Sequence, residues 1–352
     1  LNDAIGIIAS ARRPLILAGR GAKQARSALL KLAERIGAPV ATTLKAKGLF
    51  NGAPFDLGVC GTVSTPAAAD VIGSTDCVIA FGAGFSRFTT SHGSYLDGVR
   101  VVQIDDDARQ LGRRHSPDAM LVGDPAETAE VILRWLDEAD IPSSQATDTI
   151  DAKALREGFP LPSPSNAPGT VDFSHALQRI DAALPDDRVF VSDGGRFMTE
   201  AWCRIGVSAP ENFLLSINVG AIGMGMGYAI GAAAARPDLK TVFVAGDGGF
   251  MMGGLAEFSS VVRENLNMVT VICNDSAYGA EYIQFEDRQM DPTLSTFQWP
   301  SFAAMAEAMG AKGISVTSIK ELDAALDVVA KTNGPVLLDL ALDPTAMPRM
   351  HR

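Results

Sequence analysis

Residues 241–249 are Thr241-Val-Phe-Val-Ala-Gly-Asp-Gly-Gly249, an apolar run that ends in a glycine-rich turn around one acidic residue. An apolar run of this length that stops at turn residues is typical of a buried strand. A helical pattern follows at 255–264, and a second apolar run at 268–273 ends in Asn274-Asp275. A strand, a helix and a strand in this order predict a parallel pair of strands whose polar turns share one edge.

The same alternation extends over most of the chain. Further apolar runs predict strands at 14–19, 39–43, 77–82, 99–105, 188–192 and 336–340. Helical periodicity predicts helices at 3–11, 23–36, 124–136, 173–184, 223–235, 301–309 and 320–331. The stretch 141–171 breaks this rhythm and is rich in Pro, Ser, Thr and Asp, which is typical of a linker. We therefore predict the α/β class, with two doubly wound parallel-sheet domains at 1–140 and 172–352.

Composition narrows the classes of protein that this chain can belong to. Its 352 residues are 47% hydrophobic and 20% charged, which is typical of a folded globular protein. The 41 acidic and 30 basic residues give a net charge of −11, which argues against nucleic acid as a partner. No apolar run is long enough to cross a membrane. Four cysteines without a C-x-x-C pair, of which Cys77 and Cys273 lie in apolar runs, predict a reducing, cytoplasmic location.

The turn at 246–249 predicts a site for a metal and a phosphate. Glycines there let backbone N–H groups approach an anion, but Asp247 would repel a bare phosphate unless a cation lay between them. Asn274 follows the next strand, so its amide oxygen is expected to converge with the Asp247 carboxylate at one edge of the sheet. Hard oxygen ligands of this kind favour Mg²⁺. The alternative is an ordinary Gly-Asp-Gly turn that binds nothing.

The run Gly246-Asp-Gly248, followed by Asn274, resembles the signature of thiamine diphosphate (ThDP) enzymes of the acetolactate synthase-like family. The resemblance implies that ThDP and Mg²⁺ are the cofactors. It implies that the Asp247 and Asn274 side chains and the backbone carbonyl of Ser276 bind the metal. The family usually has a second Asn where this chain has Asp275.

The resemblance also assigns a set of residues to the cofactor. They are Gly194, Gly195, Arg196, Gly220, Ile222, Gly246, Gly248, Gly249, Tyr278 and Gly279. Ile222 matches the hydrophobic residue that wedges under the cofactor and bends its two rings together, and Gly220 would offer its carbonyl to the pyrimidine amino group. Arg196 could pair with phosphate oxygens or lie at the surface. The alternative for 220–235 is a buried helix of small residues, whereas a dinucleotide fingerprint fits poorly because the glycines fall at alternate positions.

The first half of the chain resembles the central domain of the same family. That domain binds FAD in some members, and ADP or nothing in others. Residues 105–107 are three consecutive Asp after a predicted strand, where an adenosine could bind, but 82–87 follow the FAD-binding pattern only in part. We expect a structural domain, with FAD as a possible cofactor.

The family's activating glutamate belongs to an N-terminal pyrimidine-binding domain, and the resemblance gives it no counterpart in this chain. We interpret Glu257, Glu264 and Glu281 as helix-face or loop residues. The chain is therefore expected to be part of a longer or split enzyme, inactive alone and homodimeric or homotetrameric when complete.

The resemblance implies decarboxylation of a 2-oxo acid with carboligation of the acetolactate type. The stretch 278–284, which lines the substrate side in relatives, lacks the Gln-Trp-Gln pattern of acetohydroxyacid synthases. A simple 2-oxo-acid decarboxylase or a hydroxyacyl-CoA lyase is therefore an alternative. A non-catalytic ADP- or FAD-binding protein is an alternative of another class, whereas a dehydrogenase is disfavoured because its fingerprint is missing.

Overall fold

A computed structural model describes residues 1–347 and divides them into two compact units. The first unit runs from Leu1 to Pro160, and the second begins at Leu161. Each unit contains one six-stranded sheet in which all neighbouring strands are parallel. The predicted α/β class with two doubly wound parallel sheets is therefore confirmed. The division falls within 141–171, although the predicted limits of the linker and of the two domains stay predictions.

The first unit buries both faces of its sheet. Its strands are β1 (Pro14–Ala18), β2 (Val40–Thr42), β3 (Asp56–Val59), β4 (Cys77–Phe81), β5 (Arg100–Asp105) and β6 (Ala119–Val122). Its helices are α1 (Asn2–Ser10), α2 (Arg26–Ile36), α3 (Pro66–Gly73), α4 (Pro125–Glu138) and α5 (Ala152–Glu157). The strand order is β3-β2-β1-β4-β5-β6. Along β1, Ile16 and Ala18 pack in one core while Leu15 and Leu17 pack in another, so helices cover both faces.

The second unit has the strand order β11-β12-β10-β9-β7-β8. Its strands are β7 (Arg188–Ser192), β8 (Phe213–Leu215), β9 (Lys240–Gly246), β10 (Met268–Asn274), β11 (Lys312–Val316) and β12 (Val336–Ala341). Its helices are α6 (Phe173–Ala183), α7 (Met198–Arg204), α8 (Gly225–Ala235), α9 (Asp247–Gly249), α10 (Leu255–Arg263), α11 (Gly279–Asp287), α12 (Phe302–Ala308) and α13 (Ile319–Ala330). The strand order reverses between β7 and β9. Ligands of open parallel sheets bind in the crevice at such a reversal, beyond the carboxyl ends of the strands.

The sequence predicted eight of the strands to within one residue at each end, whereas β3, β6, β8 and β11 were missed. The helix predicted at 23–36 begins at Arg26, because Arg20–Ala25 forms a 3₁₀ helix. The helix predicted at 223–235 begins at Gly225. Within the predicted linker the structure contains α5 and the 3₁₀ helix Ala146–Thr149, so this stretch is more ordered than its composition indicated.

The helix that follows β9 is interrupted by a π-helical turn. Short α9 leads into the π-helical residues Phe250–Gly254, and these lead into α10. A Cβ atom on Gly253 would lie 2.5 Å from the carbonyl oxygen of Gly223, just before α8. The backbone of this π-helical turn therefore packs directly against the backbone of the segment that precedes α8. Single π-helical turns of this kind occur frequently at functional sites.

Two further expectations concern thiols and membrane spans. Cys77 and Cys273 are buried, as predicted, and within residues 1–347 none of the four cysteines forms a disulfide. Within residues 1–347, the longest uninterrupted α-helix has 14 residues, and no helix combines the length and the apolar character needed to span a bilayer.

Asp124 caps the N-terminus of α4. Its Oδ1 accepts hydrogen bonds from the N–H groups of Ala126 at 2.8 Å and Glu127 at 3.0 Å. We expect Asp124→Ala to lower the free energy of unfolding of the first unit by about 1 kcal/mol. Urea denaturation followed by the fluorescence of Trp135, which lies on α4, measures this loss. Glu130→Ala on the exposed face of α4 is the matched control and should change stability by less than about 0.5 kcal/mol. Equal losses in both variants would contradict the capping role.

Candidate functional site

Three neighbouring strands of the second unit carry the predicted site residues. β10, β9 and β7 lie side by side, and the loops that follow them start at 275, 247 and 193. Cys273 on β10 is in register with Gly246 on β9, so Asn274 and Asp247 come next on their strands at the same sheet edge. The N–H of Ala277 donates a hydrogen bond of 3.2 Å to Asp247 Oδ2, which joins the two loops directly.

Asp247 is the most enclosed of the predicted ligands, with 1% of its surface exposed. Its Oδ1 accepts one hydrogen bond, from the N–H of Gly248 at 2.6 Å. Its Oδ2 accepts two, from Ala277 and from the indole Nε1 of Trp299 at 3.0 Å. Since a carboxylate oxygen has about two acceptor positions, Oδ2 is filled and Oδ1 retains one. The Gly248 N–H, which the sequence predicted to hold a phosphate, is engaged with Asp247.

Two acidic side chains are buried close together at this edge. Burial and, to a smaller extent, the neighbouring Asp275 carboxylate together raise the pKa of Asp247 to about 7, against the lowering effect of the hydrogen bonds from Gly248, Trp299 and Ala277. The pKa of Asp275 is raised to about 6, because the effect of burial exceeds the lowering effect of the Arg196 charge. A cation between these loops would favour the ionised forms of both carboxyl groups.

Asn274 is held in one orientation by β12. Its Nδ2 donates to Asp339 Oδ1 at 2.9 Å, and the other carboxylate oxygen of Asp339 accepts from the N–H of Phe302 at 3.2 Å. The Asn274 amide oxygen, the predicted metal ligand, therefore points away from Asp339 and towards Ser276, whose N–H lies 3.3 Å from it. Sequence reasoning missed Asp339; its one signal was an acidic residue within an apolar strand.

Ser276, whose carbonyl is the predicted third ligand, has a left-handed backbone with a φ of 56°. Its carbonyl oxygen accepts a hydrogen bond from the N–H of Phe297 at 2.8 Å. A carbonyl oxygen has two lone pairs, so one remains available. Its role as a ligand stays a prediction.

Asp193, which follows β7, is hydrogen-bonded to the segment that leads into α8. It is 1% exposed, and its Oδ2 accepts a hydrogen bond from the N–H of Gly223 at 2.7 Å. Its Oδ1 accepts from Ser216 Oγ at 2.7 Å and from the N–H of Gly225 at 3.2 Å. Asp193 thus fixes the segment that carries Ile222. The sequence placed Asp193 at a strand end but gave no indication of these partners.

Ile222 lies between two of the predicted diphosphate loops. Its Cγ2 is 3.5 Å from the position that a Cβ would take on Gly194, and its own Cβ is 3.6 Å from the same position on Gly249. Gly220, by contrast, is exposed, and no described residue has an atom within 4 Å of its Cβ position. The structure therefore brings Ile222, Gly194 and Gly249 together and leaves Gly220 on the open side.

Aromatic rings fill the space beside the other predicted glycines. A Cβ on Gly248 would lie 2.4 Å from Cε1 of Tyr278, so this ring packs on the glycine itself. The ring of Phe197 lies in the same way against Gly195 and Gly246, at 2.7 Å and 3.4 Å from their Cβ positions. Larger side chains at these glycines would displace the rings that shape the turn.

Arg196 is buried, with 5% of its surface exposed, so the surface alternative is wrong. Its Nη1 and Nη2 donate hydrogen bonds of 2.6 Å to the carbonyl oxygens of Pro344 and Met347. The aliphatic part of its side chain packs on Gly279, with Cδ 3.1 Å from the Cβ position of that glycine. These partners are distant in sequence, which is why no local pattern revealed them. A contact with phosphate stays a prediction.

Three aromatic residues, Tyr278, Phe297 and Trp299, form what we call the aromatic bracket. Phe297 stacks on Trp299 with a centroid distance of 4.6 Å, and it meets Tyr278 edge-on at 4.7 Å. The bracket is held in place because the N–H of Tyr278 donates to the carbonyl of Ser295 at 2.8 Å, and Ala277 bridges Thr296. At one end of the bracket Tyr278 packs on Gly248, and at the other end Trp299 donates its hydrogen bond to Asp247.

The three glutamates that the sequence indicated as helix-face or loop residues do not join the site. Glu257 and Glu281 lie exposed on α10 and α11, and Glu264 follows α10, in agreement with their interpretation as helix-face or loop residues. In the part of the chain that the structure describes, no group of three or more His, Cys, Asp and Glu side chains is arranged to hold a metal. A metal here would need the mixed set of one carboxylate, one amide and one carbonyl.

Two family models match the chain. The model of the thiamine pyrophosphate enzyme central domain matches residues 1–132, and the model of the C-terminal TPP-binding domain of the same enzymes matches residues 193–340. The chain belongs to the thiamine pyrophosphate enzyme family. The two matches correspond to the first and second units, and the second contains Asp193, Asp247, Asn274 and Asp339.

Curated relatives of this ThDP-enzyme chain include acetolactate synthase subunits. A probable acetolactate synthase large subunit of Methanococcus aeolicus is 29% identical over 98% of the chain and 61% of its own length. The large subunit of acetolactate synthase isozyme 2 of Escherichia coli is 27% identical over 97% of the chain and 62% of its own length. The putative thiamine pyrophosphate-containing protein YdaP of Bacillus subtilis is 28% identical, over 95% and 58%. The chain thus spans about 60% of the length of these relatives.

Proposed function

We propose that this chain supplies the Mg²⁺ and diphosphate half of a ThDP site in an enzyme that decarboxylates a 2-oxo acid and joins the product to a second carbonyl compound. The names of the acetolactate synthase relatives support the reaction class. The observation that carries the proposal is the placement of Asp247 and Asn274 on adjacent ends of β9 and β10, beside the reversal of strand order between β7 and β9.

The donor set fits a hard divalent cation. Asp247 Oδ1 and the Ser276 carbonyl each retain an acceptor position, and the Asn274 amide oxygen accepts only long hydrogen bonds, from the N–H and Oγ of Ser276 at 3.3 and 3.4 Å. All three are oxygens, as Mg²⁺ prefers. Asp339 orients the Asn274 amide, and Trp299 and Ala277 hold the Asp247 carboxylate. Supporting hydrogen bonds of this kind are typical of metal centres.

The glycine-rich turns after β7 and β9 would hold the diphosphate of the cofactor. Gly249 lies in the first turn of the helix that begins at Asp247, where N–H groups and the helix dipole favour an anion. Ile222, fixed through the contacts of Asp193, would support the cofactor between these loops. When bound, ThDP supplies the electron sink that decarboxylation of a 2-oxo acid requires.

The substrate side of the site would be lined by α11 and the aromatic bracket. Tyr278 and Gly279 lie at the start of α11, and the side chain of Arg196 packs against Gly279. Apolar rings there would exclude water from the reacting carbons. We assign no catalytic acid or base to this chain.

The test is product analysis with the protein at its natural length. Incubated with pyruvate, ThDP and Mg²⁺, it should release CO₂ and form acetolactate, and omission of ThDP or chelation of Mg²⁺ should abolish both. If the protein forms aldehyde but no acetolactate, its reaction is simple decarboxylation rather than carboligation. If a panel of 2-oxo acids is left unchanged although ThDP and Mg²⁺ are bound, the proposed reaction is wrong.

A further inference from the structure

We infer that Trp299 is a positioning residue that makes Asp247 a one-oxygen metal ligand and thereby favours Mg²⁺ over the larger Ca²⁺. The inference rests on the proposed Mg²⁺ site. Trp299 lies outside every motif that the sequence indicated, and it reaches Asp247 from 52 residues away.

The hydrogen bonds of Asp247 differ between its two oxygens. Trp299 Nε1 at 3.0 Å and the Ala277 N–H at 3.2 Å occupy Oδ2, whereas among residues 1–347 only Gly248 donates to Oδ1. Each N–H that a carboxylate oxygen accepts takes up one lone-pair direction. A cation therefore reaches Asp247 through Oδ1, and it must displace the indole to use Oδ2.

The indole is fixed by its neighbours. It stacks on Phe297 with a centroid distance of 4.6 Å and an interplanar angle of 21°, and Phe302 lies 6.5 Å away. Phe302 itself packs edge-on against Phe250 at 5.7 Å, within the core of the second unit. Rotation of the indole would break these ring contacts, so its N–H stays aimed at Asp247. A donor fixed in this way keeps the carboxylate in one orientation without ordering a mobile side chain on each binding event.

The coordination habits of the two cations give this arrangement a consequence. Mg²⁺ demands near-octahedral geometry with short bonds and is served by single carboxylate oxygens, whereas Ca²⁺ has longer bonds and often takes both oxygens of one carboxylate. An Asp247 whose Oδ2 is occupied can offer the single oxygen that suits Mg²⁺, but it cannot offer both oxygens to Ca²⁺. The indole N–H thus selects the cation as well as orienting its ligand.

Trp299→Phe tests this inference, because it keeps an aromatic ring on Phe297 and removes the N–H. Mg²⁺ and Ca²⁺ are titrated separately, by calorimetry, into the protein at its natural length with excess ThDP. We expect the Mg²⁺ dissociation constant to rise about tenfold, as for other supporting residues of metal sites. The Ca²⁺ dissociation constant should change little, so the preference for Mg²⁺ should fall by about the same factor. A role in packing alone would not change this ratio.

Trp135→Phe, the same exchange on α4 of the first unit, is the matched control and should leave both affinities unchanged. Thermal melting of each variant shows whether the fold is retained. If Trp299→Phe does not fold, Trp299→Leu, which also removes the donor, answers the same question. Asp247→Asn reports separately on the proposed metal site.

The outcomes distinguish the inference from the proposed function. A selective loss of Mg²⁺ affinity in Trp299→Phe supports the inference. Unchanged affinities, or an equal loss for both cations, overturn it while the proposed site stands, provided that Asp247→Asn loses Mg²⁺. If the wild-type protein binds no Mg²⁺, or if Asp247→Asn binds it as well as the wild type does, the proposed site is wrong and the inference falls with it.

Discussion

Asp247→Ala is expected to weaken the joint binding of ThDP and Mg²⁺ by at least about 100-fold, beyond the 10–100-fold typical of supporting residues, because it removes a proposed direct ligand. The carboxylate is the one charged group in the proposed donor set, and the diphosphate relies on the cation to offset its repulsion from the buried acidic residues. Calorimetry with ThDP titrated in the presence of Mg²⁺ measures the loss.

Asp275→Asn is the matched control for this variant. It removes a neighbouring buried carboxylate and gives the residue that the family usually has there, without touching the proposed ligand oxygens. We expect the affinity to change by no more than about tenfold, equivalent to about 1.4 kcal/mol. If both variants lost binding equally, the buried charge of the loop as a whole, rather than an oxygen of Asp247, would be responsible. Full binding by Asp247→Ala would refute the proposed site.

Gly223→Ala is expected to destabilise the second unit by about 2–4 kcal/mol, from left-handed backbone strain and overpacking together. Gly223 has a φ of +80°, and a Cβ there would lie 2.9 Å from the carbonyl oxygen of Gly249 and 3.2 Å from the N of Gly253. Both neighbours are backbone atoms of the turn after β9, so neither can move aside as a side chain would. A shift of Gly223 would also stretch its 2.7 Å hydrogen bond to Asp193.

Gly169→Ala separates the two contributions to this loss. Gly169 lies in the same unit with a φ of +82°, and no atom of residues 1–347 lies within 4 Å of its Cβ position. It should lose only the conformational part, about 1 kcal/mol. Urea denaturation, read from the transition of the second unit, compares the variants. Equal destabilisation of the two variants would show that the close approach of Gly223 to the turn contributes nothing to the loss. Gly223→Ala should in addition weaken ThDP binding, because it displaces the segment that carries Ile222.

The sequence by itself determined the interior of both sheets. The eight strands that it predicted, among them β1, β4, β9 and β10, are the interior strands of the two sheets. Such strands are covered on both faces, so almost every residue is apolar and the run is visible without any partner. The glycine-rich turn and the polar residues that follow β9 and β10 were visible for the same reason, since they end those runs.

The four missed strands, β3, β6, β8 and β11, are the edges of the two sheets. Residues of β6 alternate between partly buried and exposed, with Met120 and Val122 54% and 64% exposed, and only the last of the five residues of β11 is buried. An edge strand forms because its neighbour offers a row of unpaired N–H and C=O groups, and its own residues need no apolar pattern. Its position is therefore a property of the assembled sheet.

The same distinction holds within the candidate site. Asp247 and Asn274 could be selected from the sequence because each stands at the end of a strand that its own residues define. Trp299, Asp339 and Arg196 contact the site from far along the chain or bind segments remote from it. Hydrogen bonds between such residues depend on which strands become neighbours and which loops fold back. Local sequence thus determined the positions of the proposed ligands, and only tertiary packing decided which side chains hold them.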